Sequence, residues 1–332
     1  MNNSNSTFKA FRVEEENGAY QTSIKEMPFE PLTKGEVLIK VEYSSLNYKD
    51  ALSSIGNKGV TRNFPHTPGI DAAGIVTRSE SKQFKVGDAV IVTSYDLGMN
   101  HPGGFASYIK VPESWIVAMP KNLNARKAMV FGTAGFTAAL SVYRLLKNGQ
   151  NPDMGAIAVT GALGGVGSVA CQILSKLGFE VIAANYKLAA DEDVQKIGAS
   201  SQIDRSVSDD LSGRPMLKPQ WAGAIDVVGG NTLTTMLKGC MNLGSVTTCG
   251  NIGSGSLEMT VYPFILRGVS LLGIDSQNCP MEIRQKIWNL LANDWAIESD
   301  DSLIKEASLE TIKGHIDLML EKKSKGRVII KL

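Results

Sequence analysis

The residues most suited to chemistry in this sequence form a glycine-rich segment, Val159-Thr160-Gly161-Ala162-Leu163-Gly164-Gly165-Val166-Gly167-Ser168. The apolar run before it predicts a strand, and the spacing of apolar residues over 168–177 predicts a helix after it. In this setting Gly164 lets the backbone approach a pyrophosphate, and Gly167 lets the helix pack close to the strand. The N–H groups at the helix N-terminus attract phosphate. The segment therefore predicts a dinucleotide-binding loop, although Ala162 stands where such loops usually begin with glycine.

The end of the next predicted strand, 179–184, indicates which dinucleotide binds. Enzymes that use NAD place Asp or Glu there to accept a hydrogen bond from the ribose 2′-OH. Here the strand is followed by Asn185-Tyr186-Lys187, without an acid. Lys187 would attract a 2′-phosphate, Asn185 can hydrogen-bond it, and Arg205 could add a second cation. We therefore predict NADPH rather than NADH; the alternative is that Lys187 and Arg205 are ordinary solvated surface residues.

Two patterns of elements must position these residues. About the first 120 residues are rich in strand-like runs and turn signals, which predicts an irregular antiparallel, barrel-like unit. After that, strand-like and helical segments alternate, which predicts βαβ units on a parallel sheet. We expect the tail of the chain to rejoin the first unit. The predicted strands are 36–43, 70–77, 88–93, 156–160, 179–184, 224–228, 245–249, 266–274 and 327–331, and the predicted helices are 168–177, one ending at 194–197, 281–293 and 309–320.

Composition and charge exclude several classes of protein. The chain has 332 residues and a formal net charge of +1, which fits two globular domains and gives no field favouring nucleic acid or a membrane. Four cysteines without a CxxC pair favour reduced thiols in a cytoplasmic protein. The uncharged stretch 154–175 is long enough to span a bilayer, but its glycines indicate a strand, a loop and a helix. The Asn- and Ser-rich start, 1–7, does not predict a signal peptide.

Further motifs across nearly the whole chain carry a family resemblance. They are Ser44-Ser45-Leu46-Asn47-Tyr48-Lys49-Asp50-Ala51-Leu52, Arg62-Asn63-Phe64-Pro65, Pro68-Gly69-Ile70-Asp71-Ala72-Ala73-Gly74, Ala128–Thr137, Pro263-Phe264-Ile265-Leu266-Arg267 and Gly273-Ile274-Asp275-Ser276. With these motifs the chain resembles the medium-chain dehydrogenase/reductase superfamily. Within it, the chain is similar to the zinc-independent quinone oxidoreductase-like branch of the YhdH/YhfP type, which includes acrylyl-CoA reductases.

The resemblance implies an α/β fold in two domains. A GroES-like β-barrel catalytic domain, 1–125 and 276–332, is expected to be interrupted by a Rossmann doubly wound parallel-sheet domain that binds NADP(H), 126–275. A homodimer is implied as well. The apolar stretch Leu266–Ile274, expected to be the last strand of its sheet, is our candidate for pairing between subunits, unless its own chain covers it.

The resemblance also implies a set of cofactor contacts. Close relatives often have Ser where Leu163 stands and Ser-Gly-Arg where Asn185-Tyr186-Lys187 stands. Because lysine lacks the bidentate fork of arginine, we expect weaker or less selective NADPH binding. The implied cofactor-binding residues are Tyr48, Thr133, Thr137, Leu163, Gly164, Gly165, Val166, Gly167, Asn185, Tyr186, Lys187, Arg205, Asn251, Ile265 and Ser276.

Two positions argue against a catalytic metal. Zinc-dependent members of the superfamily hold zinc with Cys and His where this chain has Asn47 and Ile70, and neither of these is a zinc ligand. His66 and His101 are too scattered to make a site, so no metal is predicted. Alcohol oxidation needs a Lewis acid to stabilise the alkoxide. Without one, the easier reaction is hydride addition to an acceptor that delocalises its own charge, such as a quinone or an α,β-unsaturated thioester.

A mechanism follows as a hypothesis, with the nicotinamide expected in a cleft between the domains. Hydride addition to the β-carbon of an enoyl thioester leaves an enolate that needs hydrogen-bond donors and a proton at the α-carbon. Asn47 could donate to the cofactor or the oxyanion, and Tyr48 could supply the proton or act only as a wall of the pocket. Lys49, Lys58 and Arg62 could meet the phosphates of coenzyme A or could simply form a solvated face.

Three functions remain open at this stage. The first is an NADPH-dependent reductase of an acrylyl-CoA-like 2-enoyl thioester, and the second is an NADPH:quinone oxidoreductase. The third is a non-catalytic NADPH-binding sensor that has kept the fold. Comparing NADPH oxidation with acrylyl-CoA and with a simple quinone separates the first two, and tight binding without turnover would favour the third.

Overall fold

The computed structural model describes residues 7–297 and 303–332. The prediction about a signal peptide therefore lies almost entirely outside the described residues. Within the described residues the chain forms two compact units: the first contains residues 7–133, Gln277–Ala292 and residues 303–332, and the second contains Ala134–Ser276 and residues 293–297. The first division falls later than the sequence-based boundary at 125, because Thr133 is hydrogen-bonded to Asp71 of the first unit.

Strands and helices follow the chain in an order that matches most of the predicted elements. The strands are β1 (Thr7–Glu16), β2 (Ala19–Pro28), β3 (Glu36–Ser45), β4 (Asp71–Ser79), β5 (Ala89–Thr93), β6 (Tyr108–Pro112), β7 (Ile116–Ala118), β8 (Ile157–Thr160), β9 (Val181–Ala184), β10 (Ser201–Ile203), β11 (Trp221–Asp226), β12 (Cys240–Thr248), β13 (Ser270–Gly273), β14 (Ile304–Ala307) and β15 (Arg327–Lys331). The helices are α1 (Tyr48–Ser54), α2 (Ala125–Lys147), α3 (Gly165–Lys176), α4 (Asp191–Lys196), α5 (Arg205–Ser208), α6 (Gly230–Lys238), α7 (Tyr262–Arg267), α8 (Met281–Ala292) and α9 (Ile312–Leu320).

The first unit is built on a seven-stranded sheet in the order β14-β15-β3-β4-β5-β7, with β6 paired to β3. Every pairing in it is antiparallel except that of β14 with β15. Inward-facing apolar side chains such as Val37, Ile39 and Val92 form its core, which explains the alternating pattern of these strands. Because β15 pairs with β3, the prediction that the tail rejoins the first unit is confirmed.

The second unit contains a six-stranded parallel sheet in the order β10-β9-β8-β11-β12-β13. This order corresponds to 3-2-1-4-5-6 within the unit, the doubly wound arrangement in which ligands bind beyond the carboxyl ends of the strands. The prediction of βαβ units on a parallel sheet is confirmed. The stretch 154–175, rejected above as a membrane span, indeed consists of strand β8, a loop and most of α3.

The predicted strand Leu266–Ile274 is wrong as a single element. Its first two residues end helix α7, which closes on Gly268 in the left-handed conformation at φ 62°, and the strand is confined to Ser270–Gly273. A short apolar run does not distinguish a buried helix from a strand by periodicity alone. Pro263 in the first turn and Gly268 after the last were the local signals of a helix.

Helix α2 is interrupted at Gly132, whose φ of 51° and ψ of −156° are not helical. A Cβ at this position would lie 2.4 Å from Ser45 Oγ and 2.5 Å from Asp71 Oδ2, so glycine is required by close approach as well as by conformation. By length and composition α2 could cross a membrane, but 78% of its apolar window is buried within the protein. The helix therefore serves as a core helix.

His66 makes stability dependent on pH. Its ring is buried, Nε2 has no hydrogen-bond partner among the described residues, and burial lowers its pKa to about 4. Below the usual His pKa of about 6.5 the unfolded chain binds a proton that the folded chain cannot. Between pH 7 and pH 5 we expect this residue to remove about 2 kcal/mol of unfolding free energy.

Denaturant unfolding of the wild type and of His66→Gln across that pH range measures the contribution of His66. The variant should lose about 2 kcal/mol less than the wild type between pH 7 and pH 5. Parallel losses in the two proteins would contradict a buried neutral imidazole. His315 is half-buried, and burial lowers its pKa as well, but not by a large shift. His315→Gln is therefore the matched control, and its pH dependence should stay much closer to that of the wild type.

Candidate active site

The glycine-rich loop of the second unit has the close packing that its sequence predicts. Gly164 is the N-cap residue of α3, and Gly165, Val166 and Gly167 form the first turn. A Cβ on Gly167 would lie 2.3 Å from the carbonyl oxygen of Gly161 and 2.7 Å from Ala162 Cα. Only glycine therefore allows the helix to begin this close to the loop. The first-turn N–H groups are left to face a phosphate group.

A buried amide at the end of β9 lacks a partner. Asn185 donates its backbone N–H to Ile203 O at 3.0 Å, but its side-chain Nδ2 has no hydrogen-bond partner among the described residues. The side chain is only 9% exposed, so this donor is largely removed from water. A buried donor without an acceptor costs about 1–3 kcal/mol. The site is therefore suited to a ligand that carries a hydrogen-bond acceptor.

Two basic residues follow strand ends near Asn185: Lys187 two positions along the chain, and Arg205 just after the neighbouring strand β10. Arg205 begins α5, its guanidinium lies 5.1 Å from the ring centroid of Tyr186, and its Nε donates to Asp209 Oδ2 at 2.7 Å. Lys187 is exposed. The structure thus brings Asn185, Tyr186 and Arg205 together at neighbouring strand ends. Part of the positive charge of Arg205 is already offset by Asp209.

The other candidates of the second unit are more dispersed. Leu163 lies in the loop before α3, Thr137 is buried in α2, and Asn251 is exposed in the segment after β12. Ser276 follows β13 at the same carboxyl edge of the sheet as the glycine loop. Ile265 instead lies on α7, where it is 67% exposed. The sequence alone did not show that Ile265, a predicted cofactor contact, lies on a helix and not at the end of a strand.

A buried carboxylate that the sequence analysis missed supports the glycine loop from the next strand. Asp226, at the end of β11, accepts hydrogen bonds from Thr160 Oγ1 at 2.8 Å and from the Gly229 N–H at 2.8 Å. Burial raises its pKa, and these donors act in the opposite direction. Asp226 therefore ties the end of β8 to the start of the segment before α6. The sequence indicated this residue by an acidic side chain at the end of an apolar strand.

In the first unit, Asn47 and Tyr48 lie at the start of α1. Tyr48 is the first helical residue and is 40% exposed, whereas Asn47 is buried. The Asn47 amide Nδ2 donates to Asp71 Oδ2 at 2.7 Å and lies 3.3 Å from both Asp50 Oδ2 and Ser45 O. Both hydrogens of this amide are therefore occupied within the protein. Tyr48 is the more accessible of the two side chains.

Asp71 is the centre of the polar network around Asn47. Its Oδ2 accepts from Ser45 Oγ at 2.6 Å, from Asn47 Nδ2 and from the Thr133 N–H at 2.9 Å, and its Oδ1 accepts from Thr133 Oγ1 at 2.5 Å. Arg327 Nη2 donates to Ser45 Oγ at 2.9 Å, and Nε donates to Val130 O at 2.9 Å. Thr133, a predicted cofactor contact, is thus also part of this network.

Asp50 is the second carboxylate of the network. Its Oδ1 accepts from the N–H groups of Gly69 and Ile70 at 3.0 and 2.9 Å, and its Oδ2 accepts from the Asn47 N–H at 2.8 Å. Burial and then the charge of Asp71 raise the pKa of Asp50 to about 7. A carboxyl group that titrates near neutral pH can hold or release a proton under working conditions.

Two of the three residues proposed for coenzyme A phosphates, Lys49 and Lys58, are already engaged, whereas Arg62 is exposed. Lys58 Nζ forms an ion pair with Glu15 Oε2 at 2.9 Å and lies over the rings of Tyr20 and Phe64, at 5.4 and 4.8 Å. Lys49 Nζ donates to Gln277 Oε1 at 2.7 Å. The alternative of a solvated face fits these contacts better than a phosphate clamp.

Metal-ligating side chains are not grouped in the described residues. No three His, Cys, Asp or Glu side chains among residues 7–297 and 303–332 lie close enough to hold a metal ion. Asp50 and Asp71 are held by internal donors, as described above.

Comparison with known proteins shows the class to which this architecture belongs. The alcohol dehydrogenase GroES-like domain model matches residues 33–121, and a model described as zinc-binding dehydrogenase matches residues 165–293. The chain belongs to the medium-chain dehydrogenase/reductase superfamily, a family of oxidoreductases with a GroES-like domain and a Rossmann-like domain. Both predicted domain types are confirmed.

Individual relatives define the branch. The chain is 44% identical to the putative quinone oxidoreductase YhfP of Bacillus subtilis, covering 98% of this chain and 99% of that protein. It is 41% identical to the probable acrylyl-CoA reductase AcuI of Escherichia coli, covering 98% and 99%. Within the superfamily it belongs to the YhdH/YhfP type, as the motifs predicted.

Solved structures agree with this placement. Bacillus subtilis YhfP with NAD bound has a TM-score of 0.95 and 43% identity, covering 99% of this chain and all (100%) of that one. E. coli K-12 YhdH with bound NADPH has a TM-score of 0.91 and 41% identity, covering 97% and 99%. These two relatives were therefore solved with different nicotinamide dinucleotides.

Proposed function

We propose that this chain is a zinc-independent, NADPH-dependent reductase that transfers hydride to a conjugated acceptor, with an acrylyl-CoA-like 2-enoyl thioester as substrate. The observation that carries the proposal is the close-packed glycine loop beside a buried donor, Asn185 Nδ2, that lacks an acceptor. Relatives named as acrylyl-CoA reductases support the acceptor class. The bound NADPH of E. coli YhdH supports the cofactor.

The residues of the second unit fit a phosphorylated dinucleotide. Gly164 to Gly167 would hold the pyrophosphate at the start of α3, with N–H groups as donors. Asn185 Nδ2 would donate to an oxygen of the 2′-phosphate, while Lys187 and Arg205 would supply positive charge. When bound, the reduced nicotinamide supplies the hydride. Leu163, Val166, Thr137, Asn251 and Ser276 remain proposed contacts.

The first unit is proposed to handle the charge and the proton of the acceptor. Tyr48 is exposed enough to contact a ligand and is the proposed catalytic side chain. Asn47 is proposed as a positioning residue, because its amide hydrogens are taken by Asp71, Asp50 and Ser45 O. A direct donation from Asn47 to an oxyanion would require these bonds to break. Tyr48→Phe should lower turnover if the phenol donates a proton or a hydrogen bond.

The zinc independence of the proposed reaction follows from residue types. Asn47 and Ile70 replace the Cys and His of zinc-dependent relatives, and Asn47 faces two carboxylates through its amide. A conjugated thioester can delocalise the added charge into its own carbonyl, so the reaction does not depend on a Lewis acid. We expect the enzyme to keep its activity after exhaustive chelation. Metal analysis of the active protein should find no stoichiometric zinc.

A quinone is the second candidate acceptor, because YhfP is named a putative quinone oxidoreductase. NADPH oxidation should be measured with acrylyl-CoA and with a simple quinone under the same conditions. We expect a higher kcat/KM with acrylyl-CoA. A higher value with the quinone would assign the second function, and tight NADPH binding without turnover of either would indicate a sensor.

Substituting Asn185 should change the choice of dinucleotide. In Asn185→Asp a carboxylate would repel the 2′-phosphate and would accept from a ribose 2′-OH instead. We expect the Kd for NADPH to rise about tenfold or more, which is about 1.4 kcal/mol, with no loss of NADH affinity. Fluorescence titration with both dinucleotides measures this.

Asn148→Asp is the matched control, because it makes the same chemical change at an amide that bonds Ser245 Oγ at 2.9 Å. It should leave the ratio of the two Kd values unchanged. If the ratio of the two Kd values is also unchanged in Asn185→Asp, Asn185 does not contact the 2′-phosphate.

We also propose a homodimer that pairs through the β13 edge. This strand is the last of its sheet, and α7 before it exposes Ile265 (67%) and Leu266 (63%). An exposed apolar edge favours pairing with a second strand. Leu266→Lys combined with Leu272→Lys should convert a dimer into a monomer in light-scattering measurements; a wild-type monomer would contradict the proposal.

A further inference from the structure

A cavity of about 320 Å³ lies within the first unit, and none of its lining residues belongs to the polar network around Asp71. Its walls come from β1, the end of β2 and the residues after it, β3, β6 and the loop before β6. Phe8, Ala10 and Arg12 alternate along β1, so their side chains point to one side of the strand, which is the side of the cavity. The volume is at the lower end of the range for ligand pockets and suits a small molecule rather than a dinucleotide.

Three aromatic rings form much of the apolar wall of this cavity. Phe8, Phe29 and Tyr108 contact one another, with ring centroids between 5.0 and 5.8 Å apart. All three side chains are half-buried, so ring surface in the cavity is still open to water. Covering such surface with an apolar ligand is favourable. The cavity therefore suits a ligand with an apolar body.

Arg12 is a cation of this cavity that forms no ion pair within the described part of the chain. Its Nη1 donates to Thr67 Oγ1 at 3.1 Å, and its other N–H groups have no acceptor among residues 7–297 and 303–332. The carboxylate whose charge acts on Arg12 is that of Glu14, which forms an ion pair with Lys25 at 2.6 Å. Burial lowers the pKa of Arg12, but a guanidinium stays charged at neutral pH. Its planar N–H groups are suited to bind a carboxylate.

Thr67 supplies a second donor beside Arg12. Its side chain lines the cavity and is only 2% exposed. Because its Oγ1 accepts from Arg12, its own hydrogen is left to donate, and no described residue accepts it. A buried hydroxyl that cannot donate is energetically unfavourable, and an oxygen of a ligand would satisfy it. The guanidinium and the hydroxyl thus offer donors to the same anion.

The other charged groups of the cavity wall are engaged with one another. Lys110 Nζ lies 2.6 Å from Glu30 Oε2 and 4.0 Å from Glu36 Oε1. Two carboxylates therefore share one lysine, and a further anion beside them would be repelled. This arrangement directs a negatively charged group of a ligand to Arg12 and Thr67.

We propose that this cavity is a binding site for a small monocarboxylate with an apolar body. The guanidinium of Arg12 and the hydroxyl of Thr67 hold the carboxylate, and the body lies against Phe8, Phe29 and Tyr108. The site is formed by residues of the first unit alone, and none of them has a part in the proposed hydride transfer. Binding can therefore be measured whether or not the chain reduces acrylyl-CoA.

Ligand-observed NMR titration of the full chain with 3-phenylpropionate measures this binding. We expect a Kd of about 1 mM or below. The amide 3-phenylpropionamide has the same body without the charge, and acetate has the charge without the body, so each should bind at least about tenfold more weakly. No saturable binding of 3-phenylpropionate up to about 10 mM, or equal binding of either comparison compound, would overturn the proposal.

Variants test whether the probe binds in this cavity. Arg12→Gln should raise the Kd for 3-phenylpropionate at least about tenfold, and Arg12→Lys, which keeps the charge but loses the planar fork, should raise it less. Thr67→Val should raise it about threefold or more, because a donor is lost. The matched controls are Arg126→Gln, at an exposed ion pair, and Thr234→Val, at a hydroxyl that donates to Glu258 O at 3.4 Å; both should bind as the wild type does. Circular dichroism checks folding. An unchanged Kd in Arg12→Gln, or in Arg12→Lys and Thr67→Val if Arg12→Gln does not fold, would overturn the proposal.

Discussion

Replacing Gly167 with alanine should raise the Kd for NADPH at least about 30-fold, a loss of about 2 kcal/mol of binding free energy. The added Cβ would lie 2.3 Å from Gly161 O, so the loop or the start of α3 must move. Either shift displaces the N–H groups proposed to hold the pyrophosphate. Fluorescence titration with NADPH measures the change.

Two other glycines serve as matched controls for this prediction. A Cβ on Gly164 would lie 3.2 Å from the same oxygen, so Gly164→Ala should have a smaller effect. A Cβ on Gly314, in α9, would meet no atom within 4 Å, so Gly314→Ala should bind NADPH as the wild type does. Circular dichroism should show that Gly167→Ala remains folded. Equal Kd values for NADPH in all three variants would show that the glycine loop does not bind the cofactor.

Replacing Arg327 with methionine should cost about 3–5 kcal/mol of unfolding free energy at pH 8. The substitution leaves Asp50 and Asp71 buried without a cation and removes the donor that orients Ser45. Because burial and the charge of Asp71 raise the pKa of Asp50 to about 7, Asp50 can bind a proton below that pH, and the deficit relative to the wild type should shrink as pH falls from 8 to 5. Denaturant unfolding at several pH values measures both effects.

Arg126→Met is the matched control for the Arg327 substitution. Arg126 Nε lies 3.5 Å from Glu306 Oε2, and both side chains of this pair are more than a third exposed. Exposed pairs contribute about 0–1 kcal/mol. A loss below about 1 kcal/mol in Arg327→Met would show that the acids are stabilised without the guanidinium.

The parts of the fold that the sequence predicted well are those with local signals. The loop from Gly161 to Gly167 combines glycine spacing with an apolar strand before and a helical period after, and all of these lie within about 20 residues. The alternation of strands and helices likewise determined the parallel sheet. Local patterns can be read without knowing which distant segments meet.

The hairpin of β1 and β2 was missed although its turn carried a signal. Asn17 and Gly18 both have positive φ, 52° and 78°, as the Asn-Gly turns of tight hairpins require. Strand β2 is mostly exposed or half-buried, so its residues do not alternate cleanly between apolar and polar. The turn was therefore the only local indication of this element.

The acid network of the first unit could not be predicted from local patterns. Asp71 and Arg327 are far apart in sequence and are brought together because β4 and β15 both pair with β3. Gly132, which permits the close approach, lies within a segment that otherwise has helical periodicity. A charged residue at the start of an apolar strand was the one available hint at both Asp71 and Arg327.

The most direct test of the central claim follows the hydride itself. NADPH carrying deuterium at the transferable position of the nicotinamide should be incubated with the enzyme and acrylyl-CoA, and the product analysed by NMR and mass spectrometry. The account predicts propionyl-CoA with one deuterium on the β-carbon. A product without deuterium, or no oxidation of the dinucleotide, would contradict it.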